Sequence, residues 1–114
     1  MDQDCIFCKI AVGEIPSDIL YRDDVCFVIQ DIEPSAPVHL LVIPNDHFTY
    51  LDGLTVEQHG MVAAMFQAAA HMAAREGIAK SGYRLIVNQG DDSGQMVDHL
   101  HLHVLGGEPL GALA

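Results

Sequence analysis

Three histidines alternate with apolar residues near the end of the chain, at His99, His101 and His103. Successive side chains of a β-strand point to opposite faces, so a strand over residues 97–105 places the imidazoles on one face and the apolar residues on the other. Neutral imidazole is a nucleophile and, near neutral pH, a proton donor or acceptor. Burying three histidines together is costly unless they bind something. The pattern predicts a histidine-built site on the opposite side of the strand from a core.

A Cys-x-x-Cys pair, Cys5 and Cys8, predicts a metal site. Thiolates at this spacing can occupy adjacent corners of a zinc tetrahedron, which His47 and one strand histidine could complete. In an extended strand the Cα atoms of His99 and His103 are about 13 Å apart, so at most two of the three histidines share one ion. A redox pair needs a βαβ context that the first 30 residues lack. Two half-buried thiols in a short helix remain the structural alternative.

The length, apolar content and net charge of the sequence limit its domain organisation and the partners it can bind. The 114 residues, half of them apolar, fit one domain spanning residues 1–114. With 16 acidic and 5 basic residues the formal charge is −11, which repels polyanions, so neither nucleic acid nor an anionic membrane is an expected partner. The sequence shows no signal peptide and no apolar run long enough to span a membrane. Three cysteines are an odd number, so a framework of disulfides is not expected. These features predict a cytoplasmic location.

Short apolar or alternating runs predict four strand regions, at residues 19–30, 38–44, 84–88 and 97–105. Asp23-Asp24 turns the first of them into a hairpin. A long helix begins at Thr55, which forms a capping box with Gln58, and ends before Gly77. The apolar residues predicted to pack this helix on a sheet are Val62, Met65, Phe66, Ala69, Met72 and Ala73.

Two loops flank the predicted strands. Residues 31–37 contain two prolines, which stiffen the approach to the strand that carries His39. Residues 88–95 contain two glycines and lead into the histidine strand. Glycine lets backbone N–H groups approach an anion closely, so the second loop could cradle a phosphate, although such a loop alone is more often a flexible connection.

Residues 99–105 resemble the His-x-His-x-His-apolar-apolar signature of the histidine triad (HIT) superfamily of nucleotide hydrolases and transferases. The ending at residues 104–107, without the glutamine of polyphosphate-cleaving and nucleotide-transferring members, is most similar to the histidine triad nucleotide-binding branch, the purine nucleoside phosphoramidases. The resemblance extends along nearly the whole chain, at residues 5–10, 15–16, 23–24, 31–32, 36–37, 39–44, 47, 88, 94–95 and 106–107.

The resemblance implies an α+β, HIT-like fold with about five antiparallel strands, one long helix and a short N-terminal helix, assembled as a homodimer. It also implies a hydrolase that cleaves the P–N bond of purine nucleoside 5′-phosphoramidates through a covalent nucleotidyl-histidine. Three alternatives remain: a nucleotide-binding or regulatory module with vestigial activity, a dinucleoside polyphosphate hydrolase, and a protein whose histidines are only metal ligands.

The resemblance further implies residue roles. His101 would be the nucleophile, His103 and His39 would hydrogen-bond the phosphate, and the carbonyl of His99 would hold the tautomer of His101. Asp31 would bind the ribose hydroxyls. The other implied nucleotide contacts are Asn88, Gly94 and Gln95 at the phosphate and leaving group, and Phe7, Ile15, Ile29 and Ile32 around the base. The implied ligands of a structural Zn²⁺ are Cys5, Cys8, His47 and His99.

Met96 departs from the branch, which commonly has serine at this position. The change removes a hydroxyl donor near the phosphate or leaving group, so turnover could be slower or the preferred leaving group different. Among the five cationic residues only Lys9 lies within the site motifs. The sequence therefore favours a nucleoside monophosphate derivative over a long polyphosphate.

Overall fold

The computed structural model describes residues 4–113. Within them the helices are α1 (Ile6–Ala11) and α2 (His59–Arg75), and the strands are β1 (Tyr21–Arg22), β2 (Cys26–Gln30), β3 (Val38–Pro44), β4 (Tyr83–Ile86) and β5 (Leu102–Gly106). Short 3₁₀ turns occupy Leu51–Gly53, Val56–Gln58 and Asp91–Ser93. The strands form one antiparallel sheet in the order β1-β2-β3-β5-β4. The predicted α+β fold is confirmed.

The predicted turn at Asp23 joins β1 and β2. The Oδ1 atom of Asp23 accepts hydrogen bonds from the backbone N–H groups of Val25 and Cys26, both at 2.8 Å. Tyr21 then lies opposite Val28 in the antiparallel pair. A short acceptor side chain at a turn satisfies backbone donors that the strands leave unpaired, which is why aspartate favours this position.

The long helix begins and ends close to the residues that the sequence indicates. Thr55 N–H donates to Gln58 Oε1 at 2.9 Å, and this pair opens the 3₁₀ turn that continues into α2. After Arg75, Gly77 takes a φ of 78° and its N–H donates to Ala74 O, as expected for a glycine that ends a helix. Neither helix in residues 4–113 is long and apolar enough to cross a bilayer.

Helix α2 covers one face of the sheet. Its buried residues are Met65, Ala68, Ala69, Met72 and Ala73, and they pack on alternate residues of the central strands. The expectation that Phe66 faces the sheet is wrong, because 43% of this residue is exposed. Phe66 directly follows the buried Met65, and one step along a helix rotates the side chain by about 100°.

Helix α1 and the segment after it cover the other face. Their buried side chains pack on residues of β2 and β3 that point away from α2, namely Phe27, Ile29, Leu41 and Ile43. Since both faces are covered, β2 and β3 are buried almost throughout, in the manner of a two-sided sheet. His39 and His103 belong to this second face, which positions the site described below.

The histidine strand is shorter than expected. Residues 97–99 form a bend, residues 100–101 belong to no strand, and β5 begins only at Leu102, so the prediction of a strand over residues 97–105 is wrong in its first half. The ladder with β3 ends at the Val42–Leu102 pair, and upstream of it Leu100 N–H bonds to Phe48 O instead. Leu100, Leu102 and Val104 nevertheless lie in the α2 core, as the alternation indicates.

Candidate active site and metal centre

A cavity of about 410 Å³ opens on the α1 face of the sheet. The bend before β5, the loop after β2 and the glycine-containing loop meet there. The residues named from the sequence that line it are Phe7, Ile29, Asp31, Ile32, His39, Asn88, Gly94, His101 and His103. The fold therefore brings most of the predicted nucleotide site together around one space.

Three of the residues named for catalysis or nucleotide binding lie outside this lining. Ile15 is half-buried against the α1 core. Gln95 braces its own loop, because its Oε1 accepts from Gly90 N–H at 2.8 Å and its Nε2 donates to Val97 O at 3.1 Å. The ring of His99 is fully buried beside Cys5, behind the cavity.

His101 has one defined tautomer. Its Nδ1 lies 2.7 Å from the backbone oxygen of His99, and since a carbonyl only accepts, Nδ1 carries the proton. The lone pair then resides on Nε2. The ring also packs edge-on against Phe7, with the ring centroids 5.1 Å apart. A backbone acceptor and an aromatic neighbour therefore orient a potential nucleophile at the cavity wall.

His39 and His103 form a directional hydrogen-bond chain. Ser35 N–H donates to His39 Nδ1 at 2.9 Å, so a neutral His39 has its proton on Nε2. That atom lies 2.9 Å from His103 Nδ1 and 3.4 Å from Asp31 Oδ2. His103 Nδ1 is therefore an acceptor, and the proton of His103 resides on Nε2. This chain of hydrogen bonds leaves the Nε2–H group of His103 as a hydrogen-bond donor for an anion.

Burial keeps His103 uncharged near neutral pH. Desolvation, followed by the neighbouring His101 and His39, lowers the pKa of His103 to about 4. An uncharged His103 can accept from His39 through one nitrogen and donate through the other. The site therefore offers a neutral donor to a phosphate rather than a fixed cation.

The loop over residues 88–95 is held by its own side chains. Asn88 Nδ2 donates to Ser93 O at 2.6 Å. Gly90 and Gly94 have φ values of 85° and 82°, a region that side-chain-bearing residues rarely adopt. These glycines let the loop turn sharply at the cavity wall.

Met96, noted from the sequence as a departure near the phosphate, lines the cavity. The other lining residues were not singled out from the sequence: Ile6, Gln30, Glu33, Ser35, Leu41 and Val97. Leu41 could have been found, since it alternates with His39 on one face of β3. Ser35 acts through its backbone N–H, for which a sequence carries no signal. Met96 is 90% exposed and Ile32 is 92% exposed at this cavity.

The four predicted metal ligands converge behind the cavity. One ligand atom each from Cys5, Cys8, His47 and His99 lies within 4.8 Å of all the others. Nδ1 of His99 is 3.2 Å from the sulfur of Cys5 and 3.5 Å from that of Cys8, and Nδ1 of His47 is 3.2 Å from the sulfur of Cys8. Zinc bonds of about 2.3 Å to sulfur and about 2.0 Å to nitrogen put neighbouring ligands about 3.5 Å apart in a tetrahedron. The donor set fits one such ion.

The tautomers in this cluster also suit a metal. His99 Nε2 donates to Pro44 O at 3.0 Å, which leaves the Nδ1 lone pair facing the thiols. Thr49 Oγ1 donates to Asp98 O and lies 3.4 Å from His47 Nε2, so it accepts from that nitrogen. Metal-binding histidines usually donate their outer N–H to such acceptors. Burial lowers the pKa of His99 to about 4, which keeps the ring neutral as coordination requires.

Fold and site together define a histidine triad protein. The HIT domain model matches residues 12–110, so the chain belongs to the HIT family, and it is a hydrolase of that family. The chain is 45% identical to the purine nucleoside phosphoramidase of Escherichia coli strain K12 over 99% of its own length and 95% of the relative's. The resemblance drawn from the sequence is confirmed.

Solved structures agree with this assignment. The HIT family hydrolase from Clostridium thermocellum superimposes with a TM-score of 0.94 at 42% identity, covering 98% of this chain and 97% of the other. A histidine triad protein from Clostridium difficile gives a TM-score of 0.94 at 39% identity, covering 100% and 99%. The antiparallel sheet with one long and one short helix is therefore the fold of this family.

Proposed function

We propose that this protein hydrolyses the P–N bond of purine nucleoside 5′-phosphoramidates through a covalent nucleotidyl intermediate on His101. The observation that carries the proposal is the 2.7 Å hydrogen bond from His101 Nδ1 to His99 O, since it leaves a lone pair on Nε2 at the cavity. The name of the Escherichia coli relative supports this choice of substrate class.

The reaction has two displacements. His101 Nε2 attacks the phosphorus, a P–N bond to His101 forms, and the bond to the leaving amine breaks as the amine takes up a proton. Water then attacks the same phosphorus and the bond to His101 breaks. The water supplies a hydroxyl to phosphorus and a proton to balance the amine. Splitting one hard step into two easier ones is the gain of covalent catalysis.

His103 stabilises the charge on the phosphoryl oxygens. Its Nε2–H is a donor because His39 donates to its other nitrogen, and His39 is in turn oriented by Ser35 N–H. A donor that is already oriented costs no reorganisation when charge develops. In this proposal His103 contacts the phosphate directly. His39 acts through His103 and not as the phosphate donor expected from the sequence, because both of its ring nitrogens already have hydrogen-bond partners.

The nucleoside lies over the α1 face. The carboxylate of Asp31 accepts the ribose hydroxyls, and its Oδ1 is oriented by Glu33 N–H at 2.8 Å. Phe7, Ile29 and Ile32 offer an apolar wall for the base. Asn88 and Gly94 lie at the phosphate end. Gln95 acts there by bracing the loop, and Ile15 acts through the core beneath α1.

The charge of the cavity favours a short phosphate. The lining contains the acidic residues Asp31 and Glu33 and no lysine or arginine among the described residues. Each additional phosphate group adds negative charge that such a wall repels. A dinucleoside polyphosphate is therefore the weaker candidate substrate.

The Cys5, Cys8, His47 and His99 cluster is proposed to hold a structural Zn²⁺. The ligand atoms supply four positions, which leaves no open place for water or substrate. When bound, the ion would contribute Lewis-acid bonds that tie α1 to the bend before β5. We further propose a single domain that works as a cytoplasmic homodimer, without a nucleic-acid or membrane partner.

The first test is intact-mass spectrometry after brief mixing with adenosine 5′-phosphoramidate. The wild type is expected to gain the mass of one nucleotidyl group and to release AMP. His101→Ala should show neither, with turnover reduced at least about 10³-fold, because the nucleophile is gone. His59→Ala is the matched control, since His59 is exposed at the start of α2 and lies outside the cavity lining. Normal AMP release by His101→Ala would contradict the proposal.

A further inference from the structure

We propose that His99 mechanically links the metal cluster to the catalytic histidine, so that an ion held with Cys5, Cys8 and His47 sets the turnover rate of His101 without contacting substrate. The inference rests on the proposed function. It assigns the metal a positioning effect on one reacting atom, beyond holding the fold together.

The first link runs through one residue. The ring of His99 closes the ligand cluster, and its backbone oxygen accepts the hydrogen bond from His101 Nδ1. Residues 97–101 are outside the β5 ladder, so strand pairing does not hold this carbonyl in place. Its position depends on the hydrogen bonds of its two neighbours, Leu100 N–H to Phe48 O and Asp98 O from Thr49 Oγ1, and on the anchoring of the His99 ring. Anchoring the ring therefore anchors the acceptor of the nucleophile.

The second link runs through Phe7. Its ring packs edge-on against both His99 and His101, at centroid distances of 5.7 and 5.1 Å. Phe7 lies between the ligands Cys5 and Cys8 in a helix of six residues. So short a helix has little stability of its own, and its position depends on what holds the two thiols.

An ion changes the strength of these anchors. Without one, the thiols of Cys5 and Cys8 donate weak S–H hydrogen bonds to His99 and His47, at 3.2 Å each. Coordinate bonds are stiffer and join all four side chains to one point. When the anchors loosen, the His99 carbonyl and Phe7 hold His101 in its reactive orientation for less of the time. Small misplacements of a reacting group cost much of its rate.

Binding of the nucleotide should depend much less on the ion. Asp31, Ile29 and Ile32 belong to β2 and the loop after it and are not ligands of the cluster. Among the proposed contacts to ribose and base, only Phe7 is also a link to the ion. The proposal therefore predicts a division between kcat and affinity. Loss of the ion lowers kcat by about 10-fold to 100-fold, the usual effect of losing a group that orients a functional residue. It changes the AMP dissociation constant by a much smaller factor, because Phe7 is only one of the proposed nucleotide contacts.

The experiment compares zinc-loaded wild type with the same protein after chelation, with His47→Ala and with His47→Cys. His47 is the ligand to change because it lies outside the cavity lining and is separate from the α1 ligands. The measurements are bound zinc, kcat and KM for adenosine 5′-phosphoramidate, AMP affinity by calorimetry, and solvent exchange of the His101 Nδ1 proton by ¹⁵N NMR. Cys26→Ala is the control for losing a buried thiol, since Cys26 lies in the α2 core.

Chelated wild type and His47→Ala should lose zinc, lose kcat and exchange the His101 proton faster while still binding AMP. His47→Cys restores four donors and should regain all three properties, and Cys26→Ala should keep them. The proposal is wrong if wild type binds no zinc, if metal-free protein keeps both kcat and proton protection, or if kcat and AMP affinity fall in parallel. If even zinc-loaded protein releases no AMP, the proposed function has failed, and proton exchange still decides whether the link exists.

Discussion

Two clusters on the α1 face of this sheet contain similar groups and hold their protons in opposite places. Cys5, Cys8, His47 and His99 form one, and Asp31, His39 and His103 form the other; in both, the ligand atoms lie within 4.8 Å of one another. In the first, the outer ring nitrogens donate to a carbonyl and a hydroxyl, so the lone pairs point inward. In the second, Ser35 N–H occupies the outer nitrogen of His39, so the proton points inward.

This difference shows that the partner of the outer nitrogen decides what a histidine cluster can do. Two histidines and one carboxylate are a familiar metal-binding set, yet a neutral His39 has no lone pair to give an ion at this point. It passes a hydrogen bond to His103 instead. The cysteine cluster can accept an ion because its rings, which have the same Nε2–H tautomer, turn the Nδ1 lone pair inward and the proton outward.

The largest effect is expected when the hydrogen-bond chain is cut at its end. His103→Ala removes the donor aimed at the phosphate and should lower kcat by about 10²-fold to 10³-fold, the usual loss for one donor to a developing charge. Steady-state kinetics on adenosine 5′-phosphoramidate measures it, with His59→Ala beside it as the surface control. A loss of kcat smaller than about tenfold would contradict this interpretation, because the hydrogen-bond chain that ends at His103 would then contribute little to catalysis.

Metal stoichiometry tests the comparison directly. Titration of metal-free protein with Co²⁺ should produce thiolate charge-transfer bands that saturate at about one ion per chain. In the Asp31, His39 and His103 cluster, the Nε2 proton of His39 occupies the place that an ion would take. His47→Ala should abolish or weaken the bands, and Asp31→Asn should leave them unchanged. A site without thiolate gives no such band, so total bound Co²⁺ is measured as well. A second bound equivalent that disappears in Asp31→Asn would show that the Asp31, His39 and His103 cluster also binds metal.

A smaller effect is expected in the pH dependence of stability. The pKa of His103 falls from 6.5 to about 4 on folding, mainly through burial. Between these pH values the unfolded protein binds more protons than the folded one. The contribution of His103 to the free energy of unfolding is therefore complete above pH 6.5 and is lost as the pH falls towards about 4.

His103→Asn removes this titration and leaves that of His99 in place. Urea unfolding at several pH values from 7 to 4, in one metal state, should therefore show a steeper decline for wild type than for the variant. Parallel declines would mean that His103 is not held neutral by the fold, and the hydrogen-bond chain would lose its support.

Much of the fold could be predicted because the signals are local. The capping pair at Thr55 and Gln58, the turn at Asp23 and the alternation around His101 depend on residues a few positions apart. Leu100 lies in the predicted core although it is not part of a strand. Its assignment to one face needs only an extended backbone with an apolar core on one side.

The predictions that were wrong concern residues whose placement depends on contacts with other parts of the fold. Residues 97–101 lie outside the sheet because the ladders with β3 and β4 end at Leu102 and His103, and no local sequence pattern indicates where a ladder ends. The side chain of Gln95 forms hydrogen bonds with the backbone of Gly90 and Val97 in its own loop. The turns at the neighbouring glycines bring these backbone atoms within reach. Phe66 lies off the sheet because helix α2 presents a narrow face built mainly from alanine and methionine.

The sequence by itself determined the chemical inventory and its broad placement: histidines on one face, apolar residues on the other, a cysteine pair near the start and too few cations for a polyphosphate. Only the tertiary structure decided which ring nitrogen of each histidine carries a proton. The groups that settle it are mainly backbone atoms, Ser35 N–H, Pro44 O and His99 O. Every residue has such atoms, so their identity carries no signal, and it is the fold that brings particular ones to particular rings.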